Sequence, residues 1–181
     1  ITKTVNAINS EDVSSVEIIG WLYQYYISEK KDQVFKSFKD GNKAGKDEIP
    51  AATQLFTPEW IVRYLVENSL GRLWMLNHPE SKLKSKMKYY IEPRDKETDF
   101  IRLESPEEIK VLDPCCGSGH MLTYAFDLLF DIYTECGYTD NDAVKHIVED
   151  NLYGIEIDKR AGQLAYFAIM MKARERSRRI L

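Results

Sequence analysis

The order of apolar segments predicts an α/β fold with parallel strands, preceded by a helical region. Three observations carry that reading. From Ile109 onward the pattern runs strand, tight loop, helix, helix, strand, helix, which is how a parallel sheet opens. The loop after the first strand bears glycines and lies at the strand's carboxyl end, where open α/β sheets hold ligands. Before residue 50, apolar residues recur at helical spacing.

Ile1 to Asp12 is polar and is expected to fray. Ser14 and Glu17 read as a capping box. Val16, Ile19, Tyr23 and Tyr26 follow at helical spacing, so a helix is expected from about Ser15 to Phe38. Asp40 to Gly45 is a loop. Thr57-Pro58-Glu59 is a helix start, with Thr57 suited to the N-cap, and Gly71 is placed to end that helix. Lys82, Lys84, Lys86 and Lys88 alternate, which puts them on one side of an extended segment, as a solvated edge or as a phosphate-facing ridge. Tyr89-Tyr90-Ile91 and Phe100 to Leu103 look like two short strands around a turn at Pro93-Arg94-Asp95. Then come a strand over Ile109 to Asp113, a helix from His120 to about Cys136 and a helix from Asp140 to Asp150. A second strand covers Leu152 to Ile157, and Asp158 caps a final helix with Ala161, Leu164, Ala165, Ala168 and Ile169 on one face.

Composition bounds the function. The 181 residues are 44% apolar and 12% aromatic, too much for a disordered chain. A chain of this length buries roughly 70% of its unfolded surface. The longest apolar run, Leu164 to Met171, falls far short of the roughly 20 residues of a membrane span, so no membrane partner is expected. Nothing at the start reads as a secretory signal, and Ile1 in place of Met reads as a piece of something longer. A formal charge of −4 is not that of a stand-alone nucleic-acid binder. Cys115, Cys116 and Cys136 form no CxxC pair and are odd in number, so neither a disulfide framework nor a zinc site is expected. His78, His120 and His146 lack metal-ligand spacing.

The chemistry concentrates in Asp113-Pro114-Cys115-Cys116-Gly117-Ser118-Gly119-His120-Met121-Leu122. Gly117 and Gly119 permit close backbone approach, and exposed N–H groups at a helix start can hold a polar ligand portion. Asp113 is placed to accept hydrogen bonds from a cationic amine. Glu156 ends the second strand, where an acidic residue accepts from ribose hydroxyls. A dinucleotide loop needs glycine or alanine where Leu122 stands, and neither a P-loop nor a G-x-S-x-G elbow is present. S-adenosylmethionine remains: it brings an amine, a ribose and no phosphate chain.

The string Asp-Pro-x-x-Gly-Ser-Gly-x-x-Leu resembles the first motif of amino-methylating DNA methyltransferases of the N6-adenine type. Asn151 to Asp158 resembles their second motif. Gln54 to Val62 is similar to the segment that precedes the first motif, where a Thr-Pro helix start borders the methionine end of the cofactor. Gly20 to Asp32 is similar to the amino-terminal part of the BREX phage-defence adenine methyltransferases. The resemblance implies a partial Rossmann-like S-adenosylmethionine-dependent fold over residues 51–181, incomplete, behind a helical region over residues 1–50. It implies a cofactor site of Asp113, Pro114, Gly117, Ser118, Gly119 and Glu156, with Thr57, Phe56 and Asp158 at its borders. Read from the residues alone, Asp158 is a helix cap before it is a ligand, and Phe56 is an apolar staple before it is a pocket wall. It further implies double-stranded DNA and restriction or phage-defence subunits as partners, in the bacterial cytoplasm.

The family's Asn/Asp-Pro-Pro-aromatic motif grips the flipped adenine. None of the six prolines here is adjacent to another, so no residue is assigned a catalytic role, and the chain alone is expected not to methylate DNA. Cys115 is not read as a methyltransferase nucleophile, because it lies inside the cofactor loop. His120 is read as packing or capping at the helix start. Lys172, Arg174, Arg176, Arg178 and Arg179 form a basic end, either solvated or touching DNA. Two rivals stay open: a non-catalytic module with this fold, and an amino-methyltransferase acting on RNA or protein.

Overall fold

The computed structural model describes residues 17–46, 48–55 and 57–177. The helical lead is α1 (Glu17–Lys39) with the short α2 (Ile49–Thr53). Then come α3 (Glu59–Val66), a wide π turn (Glu67–Gly71) and α4 (Arg72–Asn77). The α/β part holds β1 (Val111–Asp113), α5 (His120–Glu135), α6 (Asp140–His146), a second π turn (Ile147–Asn151), β2 (Leu152–Gly154) and α7 (Lys159–Arg176). The Ser14–Glu17 capping box, Phe56, Arg178 and Arg179 lie outside the residues or side chains described.

The strands pair in parallel, with Val111 opposite Leu152, Leu112 opposite Tyr153 and Asp113 opposite Gly154. The predicted parallel α/β order is present, with strands shorter than the apolar runs that announced them. α5 forms the centre. Its residues Leu122, Ala125, Phe126, Leu129, Ile132 and Tyr133 are buried, and α3, α6 and α7 pack around it. The face of the sheet bearing Leu112 and Tyr153 is open to solvent, although parallel sheets usually bury both faces.

One buried side chain joins the two strand starts. Asn151 accepts from the Tyr133 hydroxyl at 2.9 Å and donates to the carbonyls of Pro106 (2.9 Å) and Ile109 (2.8 Å). Its amide satisfies groups just ahead of β1 from a position just ahead of β2. The sheet register is thereby set before the first ladder bond.

Several sequence expectations are corrected. Thr57 does not cap α3; Pro58 holds that position, with no side-chain cap bond. Gly71 does not stop the helix, which runs on to Asn77. Its lack of a side chain serves packing: a Cβ there would come within 2.3 Å of Met87 Sδ. The lysine run is a 3₁₀ turn over Lys82–Lys86, not an extended ridge. Lys84 pairs with Glu92, and Lys86 with Asp131 at 2.6 Å. Lys172 pairs with Asp127 at 2.6 Å, which draws part of the basic end back onto α5.

Tyr89–Ile91 and Phe100–Leu103 are not strands. Each is gripped by one helix asparagine instead. Asn68 donates to Tyr89 O and accepts from Ile91 N, both at 2.8 Å. Asn77 donates to Ile101 O at 2.9 Å and accepts from Leu103 N at 3.0 Å. A carboxamide has the donor and acceptor of a peptide group, so it substitutes for a neighbouring strand. Among the described residues no helix is long and apolar enough to cross a membrane.

Candidate functional site

The site forms where β1 ends. Asp113 is the last residue of the strand, and its Oδ1 accepts from Cys115 N at 3.1 Å, an Asx-type turn that reverses the chain. Two ladder bonds continue past the strands: Ile155 N donates to Asp113 O (2.9 Å) and Cys116 N to Ile155 O (3.1 Å). They draw the segment after β2 under the loop. Glu156 then accepts from Gly117 N at 2.7 Å through Oε2 and from Asp158 N at 2.9 Å through Oε1. One carboxylate thus braces both turns.

Gly117 (φ +53°) and Gly119 (φ +89°) are left-handed. A Cβ at Gly117 would meet nothing within 4 Å, so that residue faces open space. A Cβ at Gly119 would lie 3.0 Å from Ala165 Cα, so the loop rests directly on the backbone of α7. The N–H groups of Cys115, Cys116, Gly117 and Gly119 all bond within the protein. The loop therefore offers a ligand close approach more than free donors.

Asp158 caps α7, with Oδ1 accepting from Arg160 N at 3.0 Å, as one of its two sequence readings had it. Its other oxygen accepts from the Tyr23 hydroxyl of α1. Burial first, and then the Asp158 carboxylate, push the Tyr23 phenol up, so it stays a donor across the usual pH range.

Two adjoining cavities flank the loop and share Gln54, Leu55, Cys115 and Gly117. The smaller, about 70 Å³, is bounded by Asp113, Ser118 and Thr57, with Gly20 and Gln24 of α1. The larger, about 520 Å³, is bounded by Pro114, Glu156, Ile157 and Asp158. The sequence-derived residues therefore converge, with two exceptions. Gly119 lies behind the loop as a packing residue, and Phe56 is not among the described residues.

Gly20, Gln24 and the side chain of Gln54 went unassigned in the sequence reading. Gln54 stands inside the Thr-Pro string and so had a local signal. Gly20 and Gln24 lie about ninety positions from the loop they face, where no spacing rule reaches. The Oε1 of Gln54 is buried with no hydrogen-bond partner among the described residues. A buried acceptor left empty carries a desolvation cost, which a ligand donor would remove. Among the described residues no cluster of three or more His, Cys, Asp or Glu side chains could hold a metal.

Burial, with the Asp113 and Glu156 carboxylates, pushes the Cys116 thiol up to about 11. Burial pushes the His120 imidazole down, which fits a packing residue. At pH 8 Cys116 is held almost entirely as the thiol. Iodoacetamide is therefore expected to modify the exposed Cys115 well before Cys116. Peptide mass spectrometry over a time course checks this; equal rates would contradict the electrostatics of the loop.

Residues 94–179 match the family described as MmeI, DNA-methyltransferase domain. The adenine-specific methyltransferase BrxX of Escherichia coli O9:H4 (strain HS) is 52% identical over 186 aligned residues, 98% of this chain and 15% of that protein. The adenine-specific methyltransferase PglX of Lacticaseibacillus casei (strain Zhang) is 46% identical over 182 residues, 93% of this chain and 15% of that protein. The chain spans about 15% of the length of these relatives.

Proposed function

We propose, from the premise that this chain belongs to the family of adenine-specific methyltransferases that includes BrxX and PglX, that residues 51–181 are the opening of a Rossmann-like S-adenosylmethionine-binding domain and residues 1–50 its helical lead. The observation that carries this is the groove at the end of β1, with Asp113 towards one end, Glu156 towards the other and Gly117 between. S-adenosylmethionine supplies an electrophilic methyl group on a sulfonium centre.

The residues present fit that cofactor. Asp113 keeps one carboxylate oxygen clear of its turn bond, able to accept from the α-ammonium. Glu156 uses two of its roughly four lone-pair positions on backbone N–H groups, which leaves acceptors for ribose hydroxyls. Gly117, with open space where a side chain would be, lets the loop approach the ligand's middle. Pro114 and Ser118 line the same walls, Thr57 borders the methionine end, and Phe56 is assigned there by resemblance. Asp158 acts on the site mainly by capping α7 and holding Tyr23.

In the whole protein the methyl group passes to the exocyclic amine of an adenine flipped from double-stranded DNA, in the bacterial cytoplasm, alongside other phage-defence subunits. The Asn/Asp-Pro-Pro-aromatic motif for that step is not in this sequence, so this chain holds cofactor and does not methylate DNA. Calorimetric titration with S-adenosylmethionine tests the reading. Binding is expected below about 1 mM, with Asp113→Ala weakening it about 10- to 100-fold through loss of a charge-assisted hydrogen bond. Silence at millimolar ligand would remove the cofactor reading. Radiolabelled methyl transfer to DNA by this chain alone would remove the claim of inactivity.

A further inference from the structure

We propose that α1 is the roof of the cofactor site and that Gln24 binds the amino-acid end of S-adenosylmethionine; this rests on the cofactor reading above. α1 is fastened to three parts of the site. Tyr23 donates to Asp158 after β2. Lys31 Nζ donates to Gln54 O, just ahead of α3, at 2.9 Å. Gly20 sits directly on the loop, where a Cβ would come within 2.5 Å of Ser118 Oγ and 2.3 Å of His120 Nε2. Those contacts leave Gln24, one turn along, on the wall of the smaller cavity.

The chemistry of that cavity is zwitterionic. An amino-acid end carries an ammonium, which needs acceptors, and a carboxylate, which needs donors. Asp113 provides acceptors, and Gln54, whose buried Oε1 has no hydrogen-bond partner among the described residues, lines the same wall. The Gln24 amide and the Ser118 hydroxyl provide donors. A space of about 70 Å³ suits a headgroup and not a nucleoside, which the adjoining 520 Å³ groove accommodates. The roof therefore recognises the part of the ligand that a bare nucleoside lacks.

The test compares S-adenosylmethionine with 5′-methylthioadenosine, which keeps the nucleoside and the methyl-bearing sulfur, now a neutral thioether, but has no amino-acid end. Calorimetry on the unaltered chain, Gln24→Ala and Gly20→Val measures both affinities. Gln24→Ala is expected to weaken S-adenosylmethionine about tenfold and leave methylthioadenosine within about twofold. Gly20→Val pushes the Ser118 and His120 side chains out of place at the cavity and is expected to weaken S-adenosylmethionine at least as much. Because Gly20→Val can also disturb folding, Gln24→Ala decides. Equal losses for both ligands, or no loss for either, overturn the inference while leaving the cofactor reading intact. Failure of the unaltered chain to bind S-adenosylmethionine overturns both.

Discussion

Gly119→Val is expected to destabilise the protein by about 3–5 kcal/mol, enough to leave a marginal domain largely unfolded at 37 °C. Two costs add. The residue holds φ +89° and ψ 19°, where a side chain costs roughly 1–2 kcal/mol and a β-branched one more. The new Cβ would stand 3.0 Å from both Cα and Cβ of Ala165, and backbone cannot swing aside as a side-chain end can. The face of α7 that packs inward bears Ala161, Ala165 and Ala168, all buried, which is what allows so close an approach. A valine would force α7 off the loop and open that face to water. Urea titration followed by circular dichroism measures the change, with Gly119→Ala expected near half the effect. A Gly119→Val midpoint equal to that of the parent would mean that α7 does not rest on this loop.

Asn151→Leu is expected to cost about 4 kcal/mol. The substitution keeps the branched shape and the number of side-chain heavy atoms but puts two methyls where an oxygen and an NH₂ stood, so a smaller overpacking cost adds to the polar loss. The Tyr133 hydroxyl and the carbonyls of Pro106 and Ile109 lose their partner inside the protein, at roughly 1–3 kcal/mol for each group left unsatisfied. Asn151→Asp gives a sharper readout. A carboxylate there faces two carbonyl oxygens and is desolvated, so its folded-state pKa is raised above the usual value near 4. A raised folded pKa means the neutral acid is the form the fold tolerates. The variant is therefore closest to the parent below about pH 4, and its deficit grows as pH rises through its folded pKa. Thermal melts from pH 4 to pH 8 check the sign. A deficit that shrinks with rising pH would contradict the assigned hydrogen bonds.

The parallel α/β order from Ile109 onward and the convergence of Asp113, Gly117, Ser118 and Glu156 were legible from residue types alone. Both depend on short-range rules: glycine where φ is positive, an acid at a strand end, a cap before a helix. The errors came where a long-range partner replaced a local one. Asn68 and Asn77 supply to Tyr89–Ile91 and Phe100–Leu103 the hydrogen bonds a neighbouring strand would have supplied, so strand-like residues form no strand. Gly71 looked like a stop signal because glycine is common past helix ends, yet the helix runs on and the Met87 side chain packs where a Cβ would stand.

By itself, the sequence determined that residues 114–119 make a tight loop between a strand and a helix and that an acid follows the second strand, because each is a property of a few consecutive backbone dihedrals and side chains. Only the tertiary structure decided that Glu156 braces Gly117, that α7 rests on Gly119, and that a helix about ninety residues upstream lays Gly20 and Gln24 over the pocket. Those contacts depend on shape and close packing between segments far apart in the chain, and no periodicity within either segment records them.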